Sequence, residues 1–119
     1  MTLALVKLRK ALEESWSCET AFKPKKWDSK RPSSGQCGVT ALLVNDFFGG
    51  SILKAEAEVG GEKISHFYNE LDGLSVDLTA DQFPFGTRLT LLGYRSREEL
   101  LECNAERYSL LKSRVESRI

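Results

Sequence analysis

"SSGQCGVTALLVNDFFGG", Ser33 to Gly50, joins a flexible Ser-Ser-Gly entry, a cysteine and a long apolar run. From Cys37 to Phe48, the residues Val39, Ala41, Leu42, Leu43, Val44, Phe47 and Phe48 fall on nearly every side of a helix. A helix that is apolar most of the way round is a buried one. Gly49-Gly50 ends it. Cysteine is a weak helix former and gains little as filler in a first turn. Its thiol there feels the positive end of the helix macrodipole, which favours the thiolate. A buried helix opened by a nucleophile needs a sheet to pack on and a base to face, and the flanking sequence offers candidates for both.

Downstream, "ILKAEAEV" (Ile52 to Val59) alternates, Leu53, Ala55, Ala57 and Val59 facing one way and Lys54, Glu56 and Glu58 the other. This predicts a half-exposed strand near a sheet edge, turned back by Gly60-Gly61. "ISHFYNELDGLSVDLT" is the clearest hairpin, with Asp72-Gly73 as a favoured two-residue turn. Thr79-x-x-Gln82 and Ser96-x-x-Glu99 both match the capping box that starts a helix. "RLTLLGY" (Arg88 to Tyr94) reads as a further strand. The chain closes in helix, with Leu100, Leu101, Tyr108, Leu111 and Val115 on one side and a possible break at Cys103-Asn104.

Upstream, Leu3 to Glu14 has Leu5, Leu8, Ala11 and Leu12 at amphipathic-helix spacing. Trp16 to Ser34 has no sustained period and contains Pro24, Pro32 and Ser-Ser-Gly, which predicts a long irregular segment. Its basic middle, "KPKKWDSKR", reads as a solvated loop, with Trp16 and Trp27 as anchors pinning it to the body. Helices grouped apart from an antiparallel sheet make an α+β fold, expected as a single domain over residues 1–119.

With 119 residues, 41% apolar and 29% charged, the composition is that of an ordinary globular domain. Seventeen basic and seventeen acidic side chains cancel, which argues against a nucleic-acid or polybasic membrane partner. The apolar Met1 to Val6 run is interrupted by Lys7, Arg9 and Lys10 before a secretory or membrane segment forms, so the expected location is the cytoplasm. Cys18, Cys37 and Cys103 are odd in number and widely spaced, suggesting neither a disulfide framework nor a zinc pair. No cofactor is expected.

His66 is the only histidine. With Asp72-Gly73 as the turn, Leu71 pairs with Leu74, and continuing that register places Tyr68 opposite Asp77 and His66 opposite Thr79. His66 and Asp77 then become same-face diagonal neighbours, roughly 7–8 Å apart at the backbone. A carboxylate there is placed to accept the Nδ1 proton and make the imidazole a stronger base. Cys37, His66 and Asp77 thus follow the nucleophile-base-orienter logic of a thiol enzyme. The histidine face lies opposite Phe67, Leu71, Leu74, Val76 and Leu78, the expected core face. The arrangement therefore requires the buried helix, or the Trp16 to Ser34 loop, to cover it.

"WSCETA", "GQCGVTALLVNDFFGGSILKA", "HFYNEL", "DLTADQF" and the arginine-tyrosine-rich C-terminal helix resemble the YunG-like family of small bacterial proteins. That pattern is similar in turn to the papain-like fold, including NlpC-type peptidases, in which a cysteine opens a helix packed on an antiparallel sheet. The resemblance implies Cys37 as nucleophile, His66 as base and Asp77 as orienter. Gln36, just before the thiol, is a candidate oxyanion donor beside the Cys37 backbone amide. Tyr68 stands where the family often has tryptophan, and the Asp-Cys-Ser-Gly signature of true NlpC peptidases is absent, which argues against cell-wall cleavage.

The expected function is a thiol-dependent hydrolase or acyl transferase acting on an amide, isopeptide or thioester, its peptide or small-molecule substrate unspecified. The alternative is a non-catalytic module of the same fold that binds a peptide or protein partner. A third reading, a metal held by Cys37, His66 and Asp77, lacks an evident fourth ligand. The oligomeric state is not legible from the sequence.

Overall fold

The computed structural model describes residues 3–119, the side chain of Leu3 excepted; Met1 and Thr2, part of the apolar N-terminal run, lie outside the described residues. Helix α1 (Leu3–Ser15) buries the expected stripe of Leu5, Leu8, Ala11 and Leu12. Trp16 follows, buried, its indole donating to the Thr40 hydroxyl at 3.0 Å. One end of the irregular segment is anchored to the body in this way. Trp27 behaves differently from the expectation: its indole donates to the Pro32 carbonyl at 3.0 Å, inside the same loop. It closes the loop on itself instead of tying it to the core. Between the two tryptophans the chain makes single 3-10 turns at Cys18–Thr20 and Pro24–Lys26, and the basic residues Lys23, Lys25, Lys26, Lys30 and Arg31 are exposed. The solvated reading of that loop holds.

Helix α2 (Cys37–Phe48) buries every residue from Gly38 to Val44, as its all-round apolar sequence requires. It stops at Gly49 and Gly50, both at positive φ. Gly50 has a packing reason as well: a Cβ there would drive into the Glu70 carbonyl oxygen and the Leu71 side chain. Strands β1 (Ser51–Val59), β2 (Glu62–Leu71), β3 (Leu74–Val76) and β4 (Arg88–Arg95) form one antiparallel sheet in the order β3-β2-β1-β4. β1 is therefore interior, paired with β2 and β4, and not near an edge as its charged residues suggested. Alternating charge requires water on one face, whereas an edge is a matter of in-plane hydrogen bonding, which side-chain polarity does not report.

The hairpin register is the predicted one, with Leu71 opposite Leu74 and Asn69 opposite Val76. Asp72 at φ 51° and Gly73 at φ 78° give the left-handed pair that such a turn needs. Ile52, Phe67, Asn69, Leu71 and Val76 share the face toward the helices, and Asn69 donates to the Ala41 carbonyl of α2 at 3.0 Å. Leu74, assigned to that core face, is exposed at the turn. The ladder with β3 ends at Asn69, so β2 runs beyond its neighbour where His66 stands.

Helix α3 (Arg97–Glu116) is continuous. Ser96 caps it by accepting from the Glu99 amide. The expected break at Cys103-Asn104 does not occur, because the buried Asn104 amide donates to the Leu100 carbonyl at 2.7 Å and finds its partner within the helix. Thr79-x-x-Gln82 produces only a 3-10 turn (Ala80–Gln82) with no side-chain cap to the backbone. α1, α2 and α3 close the main core with Ile52 and Leu78.

Candidate active site

Cys37 is the first residue of α2 and is partly exposed. The amides of a first helical turn have no partner within the helix, so they present donors and the positive dipole end around the thiol. His66, on β2, is fully buried. Its Nε2 lies 2.6 Å from Asp77 Oδ2, so the diagonal approach inferred from the hairpin is present. The ring nitrogen differs from the expected one. Asp77 takes Nε2, which leaves Nδ1 as the nitrogen available to a thiol. The carboxylate is itself held, because its Oδ1 accepts from the Thr79 amide at 3.2 Å and the Thr79 hydroxyl at 3.4 Å.

Cys37 at the start of α2 reaches the histidine face as expected, but the rest of the cover is not the expected one. It comes largely from the segment after β3: Phe83 meets the imidazole edge-on with centroids 4.9 Å apart, and Gln82 Nε2 lies 3.3 Å from Nδ1. Tyr68 stacks on the ring at 5.9 Å. In the sequence Gln82 stands in a capping-box pattern and in the "DLTADQF" stretch, and neither gives it a place beside the histidine. In the fold it donates to the Thr79 hydroxyl at 3.0 Å, and its Oε1 accepts from the Gly35 amide at 3.4 Å. It therefore links the loop that delivers Cys37 to the base.

Burial disfavours a charged imidazole, but the hydrogen bond and charge of Asp77, together with those of Cys37, outweigh it and push the His66 pKa up to about 9. At neutral pH the ring is an imidazolium between a carboxylate and a thiol. Gln36 is fully buried and its Nε2 donates to the Ser17 carbonyl at 3.0 Å, while its Oε1 has no partner. Its amide group thus anchors the loop ahead of the thiol.

Two α3 residues that residue type and spacing did not bring to the site stand near the start of α2. Asn104 packs against Gly38, where an added Cβ would touch its amide at 3.4 Å. Arg107 donates to the Asn104 Oδ1 and lies over the Phe22 ring at 5.5 Å. No spacing pattern joins Arg107 to Cys37, because they meet only through the packing of α2 on α3. Asp77 also lines a groove of about 560 Å³ together with Ala80, Phe83, Phe85 and Leu89.

The family profile described as YunG protein matches residues 4–119. A Bacillus subtilis (strain 168) protein, described as "Uncharacterized protein YunG", is 37% identical over 101 residues, covering 85% of this chain and 82% of the relative. No solved structure matches the chain.

Proposed function

This chain belongs to the YunG family, and we propose that it is a cytoplasmic, papain-like cysteine hydrolase or acyl transferase built on Cys37, His66 and Asp77. The observation that carries this reading is the 2.6 Å Asp77–His66 contact, which occupies Nε2 and leaves Nδ1 free of the carboxylate, with Cys37 among the groups that act on the imidazole. Three free cysteines suit a reducing compartment.

In the proposed reaction Cys37 enters as the thiolate of an ion pair with the His66 imidazolium; its sulfur attacks the carbonyl carbon of an amide, and the carbonyl electron pair moves to oxygen. The Cys37 amide and the dipole of α2 stabilise that oxyanion. As the pair returns, the carbon-nitrogen bond breaks and the leaving nitrogen takes a proton from His66 Nδ1. A thioester remains on Cys37. Water, giving one proton to Nδ1, hydrolyses it to a carboxylic acid and frees the Cys37 thiolate beside the re-formed imidazolium; an amine or alcohol in its place makes the reaction a transfer. Asp77 holds the ring through Nε2 and favours its charged form.

Alkylation tests the reading. In a Cys18→Ser/Cys103→Ser background, Cys37 is expected to react with iodoacetamide at pH 6, where an isolated thiol is almost wholly protonated. His66→Ala should remove that low-pH reaction and leave the fold intact by circular dichroism. An ordinary thiol titration, unchanged by His66→Ala, would leave a non-catalytic binding module as the better description.

A further inference from the structure

We infer that Arg107 is the carboxylate-binding residue of this site, and that the substrate class is a peptide or acyl-amino acid whose free carboxylate follows the scissile amide. The inference rests on the thiol reading above and extends it to what is bound.

The other partly buried arginines each hold a carboxylate: Arg9 pairs with Asp81, Arg95 with Glu99, Arg97 with Asp46 and Arg114 with Glu19. Arg107 alone among them has no acidic partner among the described residues. Its one hydrogen-bond acceptor is the Asn104 side chain, and the Phe22 ring packs against the guanidinium at 5.5 Å. A guanidinium carries five N–H donors in a rigid fork, so most of these remain available.

Burying such a charge without a counter-ion is costly, and a site that binds an anion supplies the counter-ion only when loaded. The location is set by packing. Asn104 sits against Gly38, and Phe22 donates its amide to the Gly35 carbonyl at 2.9 Å. Arg107 is thereby held between the two sides of the Gly35–Gly38 turn that presents the thiol. Burial lowers the guanidinium's pKa, and Cys37 is the neighbouring group whose charge works against that shift. The fork would receive the carboxylate while the first-turn amides of α2 receive the developing oxyanion, the two charged groups being separated in an acyl-amino acid by the amide nitrogen and one carbon.

The probes are iodoacetate and iodoacetamide, near-isosteric alkylators that differ in carrying a carboxylate. In each case sulfur forms a bond to carbon and iodide leaves. The full-length chain is labelled at pH 7, and each cysteine is followed by mass spectrometry, with exposed Cys103 as the internal reference. The iodoacetate-to-iodoacetamide rate ratio at Cys37 should exceed that at Cys103 by about tenfold, a discrimination typical of one charge-assisted contact. Arg107→Gln should reduce the ratio to that of Cys103, and Arg107→Lys should retain part of it. Equal ratios at the two cysteines of the wild-type chain, whatever the variants do, overturn the assignment. So does a parallel loss of both rates in Arg107→Gln, which would make Arg107 a counter-ion to the thiolate alone. Brisk iodoacetamide labelling without iodoacetate preference removes only the carboxylate site. Failure of both reagents at Cys37 removes the thiol chemistry and this inference with it.

Discussion

At neutral pH His66 carries its charge despite being fully buried, because Asp77 and Cys37 together outweigh desolvation. Removing the carboxylate's charge while keeping its shape isolates the orienter. Asp77→Asn is expected to bring the His66 pKa down toward its ordinary value and to slow Cys37 alkylation at pH 6 on the order of tenfold or more. The alkylation rate against pH, followed with the imidazole titration by NMR, checks both. An unchanged rate would assign Asp77 to the turn alone, through its bonds to Thr79. Cys37, His66 and Asp77 could be read from residue type and hairpin register. Gln82 and Arg107 could not, since each reaches the site across a long sequence separation and through side-chain packing.

Elements bring these residues together through their ends. α2 delivers Cys37 at its N-terminus, and β2 carries His66 past the end of β3 so that the Asp77–Phe83 segment can close over it. The helix-to-sheet joint is set at Gly50, where positive φ and the Glu70 carbonyl both exclude a side chain. Gly50→Ala is expected to cost about 2–4 kcal/mol in urea unfolding. Gly60→Ala, also at positive φ but with nothing within 4 Å, should cost only about 1 kcal/mol. Similar losses for the two would mean that the close approach at Gly50 is absent in solution. The same elements show where periodicity misleads. Alternation separated the buried Leu53, Ala55 and Ala57 of β1 from its charged residues but misplaced the strand in the sheet, and Ile52, on the Lys54 face, is the residue that joins the main core. The capping-box pattern matched one helix at Ser96 but only a 3-10 turn at Thr79.

At the scale of the whole molecule, the charged site makes stability depend on pH. The His66 pKa is raised from 6.5 to about 9 on folding, so its contribution is fully present below pH 6.5 and is lost as pH rises through about 9. That loss is on the order of 3 kcal/mol. The wild-type chain should therefore unfold at lower urea concentration at pH 9.5 than at pH 6, and His66→Gln should flatten the difference. A wild-type midpoint constant across that range would show that the ion pair is not formed in solution.

The α2 helix and its cysteine, the Asp72-Gly73 hairpin, the α+β class and the diagonal approach of His66 to Asp77 were all legible in the residues alone. Each of these follows from local rules: helical or strand period, a turn that tolerates positive φ, and a two-residue repeat that carries register along paired strands. Chain packing settled that β1 is interior, that α3 is unbroken, that Asp77 takes Nε2, that Gln82 lies beside the imidazole, and that Arg107 stands near the start of α2. Those features depend on which faces and edges of separate elements meet. Burial and long-range hydrogen bonding choose among such meetings, and residue spacing does not encode them.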